Sequence, residues 1–121
     1  ARWLIRWKRR LLPTPHHHVV FTVPHELLDL WRYNKRCIGN LLFAAAAQSL
    51  QELLADPKYC GGRVGLLAGL HTWSQTLAAH VHLHVLVTAG GLQESSGRWQ
   101  SAIKECLLCD KPASRQSSLA Y

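Results

Sequence analysis

The stretch HVHLHVLV at residues 80–87 opens with histidine at every second position and an aliphatic residue between each pair. A period of two marks a β-strand with one buried face, because successive side chains point to opposite sides of a sheet. Val81, Leu83, Val85 and Val87 then form the core side, while His80, His82 and His84 line the open side. Along an extended chain His82 and His84 stand about 7 Å apart, near enough for both rings to turn toward one cation. Such a strand needs neighbours to cover its aliphatic face, and the flanking sequence supplies them.

Upstream, VGLLAGLHTW (64–73) is a second apolar run of strand length, set off by Gly61-Gly62. HHHVVFTV (16–23) is rich in β-branched and aromatic residues and ends at Pro24. Its alternation sends Val19, Phe21 and Val23 to one face and His18, Val20 and Thr22 to the other. From residue 24 to 56 the pattern is helical, with Leu27, Trp31, Ile38, Leu42, Ala45 and Leu53 close to three-and-four spacing. Pro24 suits its start and Asp56-Pro57 its stop, with Gly39-Asn40 as the expected break into two helices. Residues 2–11 put Trp3, Leu4, Trp7 and Leu11 on one face of a basic helix that Pro13 ends. Downstream, Gly90-Gly91 should close the histidine strand, and a hairpin partner should run through Gly97, Arg98 and Trp99. The order strand, long helix, strand, strand predicts an α+β fold, an antiparallel sheet with the long helix packed on one face. Residues 1–15 read as a basic helix and linker, 16–100 as the main domain and 101–121 as a poorly structured tail.

A chain of 121 residues that is 48% hydrophobic can bury one modest core. Fourteen Lys and Arg against seven Asp and Glu leave a net charge of +7, which favours a polyanion such as DNA as partner. The longest apolar run, residues 41–47, falls far short of the roughly 18 residues that cross a bilayer. The opening ARWLIRWKRRLL lacks the apolar stretch and cleavage site of a secretory signal, so a cytoplasmic protein with no membrane partner is expected. Four cysteines without regular spacing are no disulfide framework, and Cys106 with Cys109 is only half of a zinc site. The chain begins at Ala1 and has no methionine, which makes a fragment of a longer protein the expectation.

Two phosphate chemistries use a strand like 80–87. In one, two histidines and a third ligand hold a divalent ion against a scissile phosphate that a tyrosine attacks. The nearest oxygen donor for that third position is Gln75, in the loop just upstream, and His71 at the end of the preceding strand is its rival. In the other, a histidine is itself the nucleophile, as in histidine-triad nucleotide hydrolases, whose pattern the eight residues also fit.

The surroundings extend the first of these patterns. LLPTPHHHVVFTVPHEL (11–27), RYNKR (32–36), LLFAAAAQSLQELLADPK (41–58), LHTWSQTLAAHVHLH (70–84), GGL (90–92) and GRW (97–99) resemble rolling-circle transposases of the insertion-sequence ninety-one type, in order and approximate spacing. These are members of the HUH endonuclease superfamily. The resemblance implies an antiparallel sheet like that of RNA-recognition domains, with single-stranded DNA received on the open face. It makes His82 and His84 metal ligands, with Gln75 preferred to His71 as the third and His80 as an accessory. Mg or Mn is the implied ion, and Arg98, Lys35 and Arg36 are the candidate DNA contacts. The implied reaction nicks and rejoins DNA through a 5′-phosphotyrosine and requires the remainder of the transposase chain. Tyr33 and Tyr59 precede the histidines and Tyr121 lies in a Ser-rich tail, so no residue here matches the family's nucleophile, and the chain alone should be inactive. A catalytically silent DNA-binding remnant is the third reading.

Overall fold

The computed structural model describes residues 2–73, 76 and 78–102, without the side chains of Trp3, Leu4 and Trp7. In chain order its elements are α1 (Arg2–Lys8), β1 (His16–Thr22), a 3-10 turn (His25–Leu27), α2 (Leu28–Tyr33), α3 (Lys35–Ala55), β2 (Arg63–Trp73), β3 (Ala79–Leu92) and β4 (Trp99–Ser101). The fold is α+β, a four-stranded antiparallel sheet with its helical layer on one side. Among the described residues no helix is long and apolar enough to cross a membrane.

The histidine strand, β3, is the centre of the sheet. β1 pairs along one edge, with Val20 opposite His84 and Thr22 opposite His82. β2 pairs along the other, with Gly69 opposite His84 and His71 opposite His82. β4 pairs with the far end of β3 through Gly90, Gly91 and Leu92. The alternation in 80–87 is realised without exception: Val81, Leu83, Val85 and Val87 are at most 1% exposed. Ala46, Leu50 and Leu54, a four-residue repeat along one stripe of α3, bury themselves against that face. Val19 and Phe21 of β1, with Leu66 and Leu70 of β2, pack around them. A smaller cluster of Val23, Leu28, Trp31 and Val81 seats α2 at the end of the sheet nearest His82.

Four features differ from the sequence expectation. Leu27, Ala45 and Leu53, read as part of the helical apolar face, are exposed, and the stripe of α3 that is buried is Ala46, Leu50 and Leu54. The helical stretch breaks at Asn34, whose extended φ of −134° leaves the helix while its amide side chain donates to the carbonyl of Leu30. α3 runs unbroken through Gly39-Asn40, with Gly39 buried beside the Trp31 ring. Gly90 and Gly91 do not end β3 but lie within it. A Cβ on Gly91 would sit 2.7 Å from the backbone of Gly62, and one on Gly90 would sit 2.8 Å from the carbonyl oxygen of Gln100. The glycines permit close backbone approach there rather than a turn. Nearby, the ladder shifts register between Val64 and Leu66, which takes the Gly65 N–H out of the regular pairing. Buried Thr88 accepts that N–H on its hydroxyl at 2.9 Å and donates to the Gly90 carbonyl.

Candidate metal centre

On the side of the sheet away from α3, three adjacent strands bring histidines together. β3 supplies His82 and His84, β2 supplies His71, and β1 supplies His18. Ring centroids lie 4.7 Å apart for His82 and His84, 5.2 Å for His71 and His82, and 4.5 Å for His71 and His84. One nitrogen from each of these three comes within 4.8 Å of the others, with His71 exposed and the β3 pair half-buried. Ligands about 2.1 Å from a common ion stand at most about 4.2 Å apart, so modest ring rotations bring all three into range.

The hydrogen bonds around the cluster fix its donor atoms. His82 Nδ1 lies 3.1 Å from the His80 carbonyl, which can only accept, so Nδ1 carries the proton and Nε2 keeps its lone pair. His84 Nδ1 lies 2.7 Å from His18 Nε2, and its own Nε2 is buried with no hydrogen-bond partner. An unpartnered buried ring nitrogen beside two others is what a cation would satisfy. Burial holds the His84 imidazole below its usual pKa, and His71, His82 and His18 push in the same direction. The ring is thereby kept neutral, the state in which it can ligate.

Of the residues singled out from sequence, His82, His84 and His71 converge. His80 is adjacent, its ring 4.9 Å from that of His82, but exposed and outside the trio. Gln75, Cys106, Cys109 and Tyr121 lie outside the described residues. Lys35 and Arg36 are exposed at the start of α3, on the helical side of the sheet. Arg98 sits beside the far end of β3, about 27 Å along the strand from His84. Tyr33 is 87% exposed at the end of α2, and Tyr59 packs against the core, so neither belongs to the histidine face. Trp73, 60% exposed at the end of β2, has its ring parallel to that of His71. The sequence reading missed His18, although strand alternation places it on the same face as Val20 and so beside His84.

A family model described as "Putative transposase" matches residues 65–119, which include His71, His82 and His84. Two curated relatives are each 40% identical. One is "Putative transposase y4qJ" of Sinorhizobium fredii, over 82% of this chain and 25% of the relative. The other is the "Transposase for insertion sequence element IS801" of Pseudomonas savastanoi pv. phaseolicola, over 83% of this chain and 23% of the relative. The chain thus spans about a quarter of the length of the curated relatives it matches. No solved structure matches it. Across its histidine strands, and over four-fifths of its length, the chain is thus similar to transposases.

Proposed function

We propose that the chain carries the metal-holding part of a site that nicks and joins single-stranded DNA in a rolling-circle, HUH-type transposase acting in the cytoplasm. The observation that carries this reading is the trio His71, His82 and His84, of which the His84 ring carries a buried, unpartnered Nε2. His71 takes the third position in preference to Gln75, because its strand register sets it directly opposite His82. Three imidazoles favour Mn over Mg, which prefers oxygen.

When bound, a divalent ion at this position would polarise a phosphate oxygen of the DNA backbone. The residues of the chain do the rest of the positioning. His82 is locked by its bond to the His80 carbonyl, and His84 by its bond to His18. Gly69, opposite His84, leaves open space where a side chain would stand, which gives a phosphate room to approach. Exposed Trp73 offers a flat apolar surface on which a base can stack. The surplus of +7, with Lys35, Arg36 and Arg98 among the exposed cations, supplies salt-dependent attraction to the phosphates. The nucleotide-hydrolase reading of residues 80–87 has no comparable support in the relatives.

Calorimetric titration with Mn tests the proposal. The unaltered chain should bind one ion, and the His82→Ala, His84→Ala double variant none; unchanged binding in the double variant would reject the site. With Mn and a single-stranded oligonucleotide, a denaturing gel should show no covalent adduct, because no described tyrosine faces the histidines. An adduct that disappears on Tyr121→Phe would overturn that expectation.

A further inference from the structure

We infer that His18 is a positioning residue for this centre: its Nε2 accepts the Nδ1–H of His84 and so aims the Nε2 lone pair of His84 at the ion. The inference rests on the metal reading given above. The two nitrogens are 2.7 Å apart, and the rings are near-parallel, 14° between planes with centroids 4.9 Å apart. Either ring could donate, but the two choices leave different atoms unmatched. If His18 donated, His84 would carry its proton on Nε2, a buried donor without an acceptor. With His84 donating, the buried atom is a bare lone pair, on a ring whose centroid lies 4.5 Å from that of His71 and 4.7 Å from that of His82. His18 is exposed, so water can satisfy its remaining nitrogen in either case.

The arrangement repeats that of His82, whose Nδ1–H is held by the His80 carbonyl. Both ligands of β3 therefore have their outer nitrogen tied down, one by its own strand and one by the neighbouring strand. Partners of this kind set the tautomer and orientation of a ligating imidazole, and their loss costs roughly 10- to 100-fold in metal affinity. β1 thus contributes to the centre although it supplies no ligand.

The test uses the whole chain with ¹⁵N-labelled histidine. In the metal-free protein, NMR should find His84 protonated at Nδ1, and in His18→Ala its two tautomers should mix. Mn affinity should fall about 10- to 100-fold in His18→Ala, with one ion still bound. In His18→Gln, whose amide oxygen can accept the same proton, affinity should largely recover. Pulsed electron paramagnetic resonance of bound Mn should show the same number of coordinated imidazoles in unaltered protein and His18→Ala. Loss of one coordinated imidazole would make His18 a ligand and overturn the inference. So would unchanged affinity in His18→Ala, or His84 protonated at Nε2. If the unaltered chain binds no Mn, the metal reading fails, and the NMR tautomer still decides whether His18 holds His84.

Discussion

Replacing His71 by alanine separates the role of β2 from that of β3. His71 is the one member of the trio from outside β3, and it pairs across the sheet with His82. An ion held by all three joins two strands, so it should stabilise the fold by its binding free energy. At a Mn concentration 100 times the dissociation constant, that stabilisation is about 2.7 kcal/mol. For a domain of this size it raises the melting temperature by roughly 10–20 °C. Removing a direct ligand should weaken binding at least as much as removing an outer partner, so a 100-fold loss is a fair measure. At the same Mn concentration the variant would then gain only about 0.4 kcal/mol, a shift of roughly 2–3 °C. The assay is thermal unfolding followed by circular dichroism, with and without Mn, for the unaltered chain, His71→Ala, Gln75→Ala and the exposed control His25→Ala. Gln75→Ala and His25→Ala should keep the full Mn-dependent shift. If His71→Ala keeps the shift and Gln75→Ala loses it, the assignment of the third position is wrong.

Stability of the metal-free chain should fall as pH drops below about 6.5, the ordinary histidine pKa. His17, whose pKa is lowered by burial and then by neighbouring His16, takes up its proton more readily in the unfolded chain, so its contribution is complete above 6.5 and is lost on acidification. Its Nε2 is buried without a partner on the core side of β1, so His17→Leu should flatten the pH dependence between 7.5 and 5.0; an unchanged slope in melting temperature would refute this. Gly91→Ala should cost about 1–3 kcal/mol in urea unfolding because its Cβ overlaps the Gly62 backbone, whereas Gly69→Ala, whose Cβ meets nothing within 4 Å, should cost nothing. Trp73→Ala should weaken binding of a fluorescent single-stranded oligonucleotide by about 1–3 kcal/mol, without changing the slope of affinity against salt; a changed slope with unchanged low-salt affinity would remove Trp73 from the binding face.

Much of this molecule can be read from residues 80–87. Strict alternation identifies both the core face and the histidine face of β3, whereas the three-and-four spacing read in the helix picks Ala45 and Leu53, each one position before the Ala46 and Leu54 that, with Leu50, cover the core. The helix break at Asn34 was harder to see. Asn is a mild breaker, and it acts here through an extended φ and a bond to Leu30, while the more obvious Gly39 is held in the helix beside Trp31. Gly90-Gly91 resembles a turn in isolation, and only the crossing against Gly62 shows why side chains are excluded. The same limit governs the site. That His18 faces the same way as Val20 follows from local alternation, but its neighbour His84 depends on the pairing of β1 with β3, a contact between distant segments. His71 was visible as a candidate, yet its alignment with His82 becomes clear only through the register of β2.

The cluster has a consequence for how the chain acquires its structure. His18, His71 and the His82–His84 pair come from three strands whose pairings are almost wholly long-range. Before those strands meet, β3 alone brings only His82 and His84 of the trio to an incoming ion, and pairing β2 adds His71. The arrival of β1 then locks the geometry through His18. On the proposed reading, metal uptake would serve as a clock for folding: weak capture would mark the isolated strand, tighter capture the β2–β3 hairpin, and full affinity the completed sheet. A stopped-flow record of Mn binding during refolding would resolve the order in which the edges close.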